Sequence, residues 1–270
     1  KRQDDLLRKY KKTLKDWGKS YNKKKNFVTC ADVYELMSSK TGIPIDVLSQ
    51  NNSEILINLS KNLSSKVFGQ AEACETLSNC IIRSRTGFSP ENKPIGSFLF
   101  LGQTGVGKTY MAKNLAEIFF GSKDNLIHLD MSEYSEKVNV SRLIGSSPGY
   151  VGYDEGGQLT ERVKQKPYSV VLFDEIEKAH PEVINILLQI LDEGRLTDNA
   201  GRFADFRNAI IIMTGNIGAE KLTKGVSLGF MQKSKEEFCK DSVEKEVKKI
   251  LSPELINRIT EIIPFNSFPK

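Results

Sequence analysis

The chain has 270 residues, of which 39% are hydrophobic and 27% charged, with a formal charge of +5, a globular balance that fits one large domain or one domain with an appendage. No apolar run approaches the roughly 18 residues that span a bilayer and no secretory leader is visible, which argues against membrane insertion. The four cysteines, Cys30, Cys74, Cys80 and Cys239, form no CxxC pair, and the two histidines complete no zinc pattern, so neither a disulfide framework nor a zinc site is expected, and a reducing compartment is.

In chain order, residues 1–25 read as the end of a charged helix. Leu6, Leu7, Tyr10, Leu14 and Trp17 recur at helical spacing between Lys, Arg and Asp. The basic excess in this stretch reads as a solvated helix face rather than a nucleic-acid patch, because no aromatic-interleaved basic motif accompanies it. The start at Lys1 rather than Met is read as that of a piece of a longer protein. Gly18 to Asn26 break the helix, Thr29 is placed to cap the next one over Ala31–Ser38, and Thr41-Gly42-Ile43-Pro44 stops it. Residues 53–66 are expected to be helical, so 26–66 form a helical linker.

From Val67 the pattern changes. Apolar runs at 97–101, 126–129, 169–173 and 209–213 alternate with helical stretches near 108–119, 156–166 and 181–192. This alternation predicts an α/β fold, a parallel sheet flanked by helices on both faces. The unbroken apolar character of the runs suits strands buried on both sides.

Gly102-Gln103-Thr104-Gly105-Val106-Gly107-Lys108-Thr109 matches G-x-x-x-x-G-K-[ST], directly after a predicted strand and opening a predicted helix. Glycines let the backbone wrap phosphate oxygens, and successive N–H groups at a helix start supply partial positive charge. Lys108 is expected to reach the β/γ-phosphates of a bound nucleoside triphosphate and the Thr109 hydroxyl to take a Mg²⁺ position. The strand 169–173 ends in Asp174-Glu175. A strand-end Asp beside such a loop helps hold Mg²⁺, which assigns Asp174 to the metal and leaves Glu175 to activate the attacking water.

Three longer strings carry a family resemblance: Gly149-Tyr150-Val151-Gly152-Tyr153-Asp154-Glu155-Gly156-Gly157, Asp174-Glu175-Ile176-Glu177-Lys178-Ala179-His180-Pro181 and Asp192-Glu193-Gly194-Arg195-Leu196-Thr197-Asp198. With the phosphate loop they resemble the second ATPase domain of the Clp-family AAA+ unfoldases, from about Val67 to Phe265, and residues 27–44 resemble the link from that family's middle region. Within the family the chain is most similar to the ClpC type. Gln158 stands where ClpB-type disaggregases tend to have Tyr, Lys15-Asp16-Trp17 is similar to the end of a short ClpC middle domain, and Leu228-Gly229-Phe230 sits where peptidase-docking types carry their tripeptide.

The resemblance implies a P-loop AAA+ large subdomain over 67–265, with ATP/ADP and Mg²⁺ as ligands. Residues 266–270 would start a small C-terminal lid, which is missing, so the chain alone is expected to hexamerise poorly and hydrolyse ATP slowly. Val67 and Phe68 match the stretch that packs on adenine, and Tyr110 follows the phosphate loop where many relatives have Glu. Asn216 matches the sensor that helps place the attacking water, and Arg258 the arginine finger that reaches a neighbouring subunit's nucleotide. Tyr150, with Val151, matches the pore loop that grips the threaded polypeptide. Leu228, Gly229 and Phe230 match the loop that docks a ClpP-type peptidase. The implied protein is a homo-hexamer that unfolds protein substrates and feeds a peptidase. The alternatives are a ClpB-like disaggregase or translocation motor without a peptidase, and a non-catalytic ATP-binding scaffold, against which the intact Lys108, Asp174, Glu175, Asn216 and Arg258 set argues. The excess of Lys over Arg suggests a plastid-type organelle, with the cytoplasm as the other compartment. Departures from the family are Gln103 for Pro, Thr214-Gly215-Asn216 for Thr-Ser-Asn, and Thr260 for Asp.

Overall fold

A computed structural model describes residues 7, 9–15, 28–41, 45, 52–85, 90, 92–145, 156–216, 247, 248 and 251–267. The chain divides into two compact units, Lys1–Thr41 and Gly42–Lys270. In the first, residues 9–15 are helical and helix α1 spans Cys30–Thr41. Thr29 caps α1 as its position in the sequence predicts: Asp32 N–H donates to Thr29 Oγ1 at 3.4 Å, and Thr29 N–H donates back to Asp32 Oδ2 at 2.8 Å, a reciprocal pair that satisfies two orphan donors.

The second unit is built on a five-stranded sheet. Its strands are β1 (Gly96–Leu101), β2 (Leu126–Asp130), β3 (Val170–Asp174), β6 (Ile210–Gly215) and β7 (Glu261–Pro264), in the order β2-β3-β6-β1-β7. Every pairing is parallel. The helices are α2 (Asn52–Lys66), α3 (Ala71–Arg83), α4 (Lys108–Phe120), α5 (Lys137–Ile144), α6 (Gln158–Gln165), α7 (Pro181–Glu193) and the short α8 (Pro253–Ile256). A separate antiparallel hairpin pairs β4 (Arg195–Thr197) with β5 (Phe203–Asp205).

Two apolar cores, one on each side of the sheet, explain why the strands lack polar alternation. Successive strand residues point to opposite faces. Leu99, Leu101, Val171, Phe173, Ile211 and Met213 pack on one side with α5, α6 and α7. Phe98, Phe100, Val170, Leu172, Ile210 and Ile212 pack on the other with α2, α3 and α4. Helix α2 belongs to this second core, where Leu59 and Leu63 are fully buried. No helix among the described residues is long and apolar enough to cross a membrane.

The helix ends are set by local chemistry. Gly107 (φ 100°) turns the chain from the phosphate loop into α4, and Gly121 (φ 79°) ends that helix in the left-handed conformation, which only glycine adopts without strain. Pro181 opens α7 behind a His180 cap, and Gly194 closes it. Helix α3, strand β7 and the β4–β5 hairpin were given no element by the sequence reading. β7 is four residues long, and its apolar run is too short to separate from a loop by periodicity alone.

Candidate active site

The loop 102–107 leaves the end of β1, with β6 on one side and β7 on the other. β3 lies beyond β6, so Asp174, Glu175 and Asn216 are carried to the same carboxyl edge. This is where open parallel sheets place their ligands. Thr104, Gly105, Gly107, Lys108, Thr109, Tyr110, Asp130, Asp174, Glu175, Thr214 and Asn216 line a cleft of about 440 Å³. Gly105 (φ 85°) and Gly107 turn with open space where a Cβ would stand, so the loop backbone is unobstructed toward the cleft.

Lys108 is 8% exposed. Its Nζ donates to Gly102 O at 2.6 Å, Gln103 O at 3.0 Å and Asn216 Oδ1 at 2.9 Å. Burial lowers its pKa, opposed by the nearby carboxylates of Glu177, Asp174 and Glu175. A largely buried cation held on carbonyl oxygens at the mouth of a loop suits an anion such as phosphate.

Thr109 Oγ1 donates to Asp174 Oδ2 at 3.1 Å, and His128 Nε2 contacts the same oxygen at 3.0 Å. Thr214 Oγ1 donates to Asp174 Oδ1. The His128 contact foremost, helped by Thr214 and Thr109, holds the Asp174 pKa down at about 2, and the same contact raises that of His128. A hydroxyl beside an ionised carboxylate is a hard oxygen pair that fits magnesium. Among the described residues no group of three or more His, Cys, Asp or Glu could hold a metal. An ion held by Thr109 and Asp174 would therefore take its remaining ligands from phosphate and water, as magnesium does at nucleotide sites.

Glu175 has φ 57°, the single positive value outside glycine among the described residues, a conformation that costs roughly 1–3 kcal/mol unless its surroundings enforce it. Two contacts enforce it. Glu175 N–H donates to Thr214 Oγ1 at 3.0 Å, and Glu175 O accepts from Lys178 N–H at 2.9 Å. The carboxylate itself pairs with Lys178 at 2.6 Å. Asn216 follows β6, with its N–H bonded to Glu177 Oε1 at 3.0 Å. Glu177 Oε2 is buried with no hydrogen-bond partner.

The structure thus gathers Thr104, Gly105, Gly107, Lys108, Thr109, Tyr110, Asp174, Glu175 and Asn216 around one cleft. It holds Gly102 against Phe265 and Val106 beneath the loop. Val67 is buried, Phe68 is 77% exposed, and neither lines the cleft. Gln70 ties this stretch to the loop: its Nε2 donates to Val106 O at 3.3 Å and Asn266 O at 2.8 Å. Arg258 lies apart from the cleft, its Nε bonded to both Asp192 oxygens at 2.6 Å. Tyr150, Val151, Tyr153, Leu228, Gly229 and Phe230 lie outside the described residues. Thr214, His128, Glu177, Gln70 and Asp192 were not singled out from the sequence. Single polar residues beside apolar runs carry no periodic signal; Glu177 and Asp192 stand within the strings that carry the resemblance and Thr214 within the Thr214-Gly215-Asn216 departure, none of them with a role attached.

A family model described as AAA domain (Cdc48 subfamily) matches residues 93–262. The chain is similar to the negative regulator of genetic competence ClpC/MecB of Bacillus subtilis (strain 168), 51% identical over 96% of this chain and 32% of that protein. It is 50% identical to the chaperone protein ClpB of Oceanobacillus iheyensis, again over 96% of this chain and 32% of that one. It is 47% identical to the Clp protease ATP-binding subunit ClpC of Staphylococcus aureus, over 100% of this chain and 33% of that one. Among solved structures, Hsp104 with ATPγS and FITC casein matches with a TM-score of 0.76 and 44% identity, over 92% of this chain and 42% of that one. The Hsp104–ADP complex of S. cerevisiae matches with the same TM-score and identity, over 88% of this chain and 40% of that one. The chain spans about a third of the length of the curated relatives it matches.

Proposed function

We propose, for a chain that belongs to the Clp family of AAA+ ATPases, that ATP hydrolysis at the cleft beside Lys108 drives a loop against a threaded protein client. The observation that carries this reading is the convergence of Lys108, Thr109, Asp174, Glu175 and Asn216 on one cleft at the carboxyl edge of the sheet.

Each residue has a task that its surroundings support. Lys108 exchanges carbonyl partners for the β/γ-phosphate oxygens. Thr109 and Asp174 offer oxygens to magnesium, which when bound supplies positive charge against the phosphates. Glu175 accepts the proton of the attacking water once its carboxylate turns from Lys178. Asn216, fixed through its backbone by Glu177, orients that water with its side-chain amide. Arg258 acts in trans on the nucleotide of a neighbouring copy, which fits its place outside this chain's own cleft. Fingers of this kind contribute on the order of 10³ to 10⁵ in rate. Tyr150 and Val151 grip the client in a homo-hexamer, where an aromatic ring gives sequence-tolerant contact. On this account 67–265 is the large ATPase subdomain, preceded by the helical lead-in.

Within the family we favour the ClpC type, which feeds a ClpP-type peptidase, on Gln158 and on the Leu228-Gly229-Phe230 tripeptide. The ClpB-type reading, a disaggregase without a peptidase, is supported by the 50% identity to the chaperone protein ClpB of Oceanobacillus iheyensis. The identities of 51% and 50% to ClpC and ClpB relatives do not separate the two. The compartment, cytoplasmic or plastid-type, rests on composition alone.

In the full protein, Glu175→Gln is expected to keep ATP affinity and to lower turnover by about 10²–10⁴, with client unfolding lost in parallel. Turnover at the parent rate would remove Glu175 from the chemistry. Retained client unfolding without turnover would break the coupling on which the reading stands.

A further inference from the structure

The segment 146–155, which the proposed function assigns to the client, is bounded by described residues that lie side by side. A Cβ on Gly157 would stand 2.3 Å from Leu143 O and 2.6 Å from Ile144 Cα, and one on Gly145 would stand 3.3 Å from Gly157 N. The end of α5 and the start of α6 therefore touch backbone to backbone, and glycine is the residue that permits it. Gly145 (φ 87°) and Gly156 (φ 72°) both have the positive φ that favours glycine.

The turn of the β4–β5 hairpin packs on this junction through two residues. Asn199 N–H donates to Ile144 O at 2.9 Å, and Asn199 Nδ2 donates to Gly145 O at 2.6 Å. On the other side, Arg202 Nη1 pairs with Glu161 of α6 at 3.2 Å. Arg202 Nη2, buried and without a hydrogen-bond partner, occupies space beside Gly156, where a Cβ would meet it at 2.1 Å.

The turn is itself rigid. The Asp198 side chain is fully buried, with Oδ1 accepting from Ala200 N–H at 3.0 Å and Arg202 N–H at 2.7 Å, and Oδ2 accepting from Arg202 Nε at 2.9 Å. Those bonds close the turn without help from α5 or α6. The Asn199 and Arg202 contacts that reach out to 144–145 and 156–161 are thus additional to the hairpin's own stability.

We propose that Asn199 and Arg202 are positioning residues: they clamp the end of α5 and the start of α6, the two flanks of 146–155, to the β4–β5 hairpin, which follows α7 directly, so that these flanks move with the ATPase body. The functional half of this inference rests on the unfoldase reading above; the clamp itself does not. A charge-assisted pair on one end and a carbonyl bond on the other hold the junction at separate points. A guanidinium suits the first because its planar fork meets two carboxylates at once.

The test uses Arg202→Ala, Asn199→Ala and the double variant in the full protein, read by amide hydrogen exchange and by client molecules unfolded per ATP hydrolysed. Asn199→Ala is expected to speed exchange at amides 144–145 and 156–158 by roughly tenfold, the loss of a single such bond, and Arg202→Ala by more, because it removes the Asp198 bond as well as the Glu161 pair, while basal ATP hydrolysis is unchanged and unfolding per ATP falls. Because both residues hold one junction, their effects on unfolding are expected to be non-additive. Arg202→Lys, which keeps the charge but not the fork, is expected to restore neither readout fully. Unchanged exchange in both single variants would overturn the clamp whatever the protein does to clients. Faster exchange with unaltered unfolding per ATP would overturn its positioning role. A parent protein that hydrolyses ATP and unfolds no client would sink the unfoldase reading and with it the functional half, while the exchange readout still judges the clamp.

Discussion

Asp174 and Glu175 are adjacent in sequence, yet a single hydroxyl organises both. Thr214 Oγ1 donates to Asp174 Oδ1 and accepts from Glu175 N–H, and it is 1% exposed. Replacing Thr214 by Val keeps the shape and leaves the partly buried Glu175 N–H without its acceptor, which costs about 1–3 kcal/mol. It also releases the left-handed Glu175 backbone. Thr214→Val is therefore expected to lower the denaturant midpoint and ATP turnover together, and Thr214→Ser to recover both. Normal turnover in Thr214→Val would show that Glu175 is held by other means. The phosphate-loop and strand-end residues were legible because their chemistry fixes their spacing. Thr214, Glu177 and His128 were not, because they meet the site from β6, from the turn after β3 and from β2, a convergence that exists only after the strands pair.

Strands β1, β2, β3 and β6 and helices α2, α4, α6 and α7 could be read from the sequence, α3, α5 and β7 could not; apolar runs a few residues long, separated by glycine and polar stretches, have few other uses. Helix α4 begins at Lys108 and ends at Phe120, within a residue of the expected 108–119. β6 runs to Gly215, two residues beyond the expected end, because Thr214 and Gly215 continue the ladder with Phe100 and Leu101. The β4–β5 strands are three residues each and held by a turn whose Asp198 bonds substitute for strand length, so no periodicity marks them. Interior strand β1, between β6 and β7, carries the phosphate loop, and Leu99 in it is fully buried. Leu99→Ala is expected to cost about 2–5 kcal/mol through the cavity it leaves, read as a fall in the thermal midpoint. A cost well under 1 kcal/mol would mean that this core can collapse around the gap.

At the scale of the whole molecule, the sequence made the ATPase body legible, and the order β2-β3-β6-β1-β7 brings the residues that fold the loop and those that line the cleft to one edge. Here Arg258 is paired with Asp192 and with Glu254 O, and its proposed role belongs to an assembly of copies. The account as a whole stands on nucleotide capture by Lys108. Calorimetric titration of ATP, with magnesium present, into the parent protein and into Lys108→Ala measures that directly. An affinity lower by at least about tenfold in the variant, the equivalent of one charge-assisted contact, is the predicted result. Equal affinity in the two proteins would contradict it.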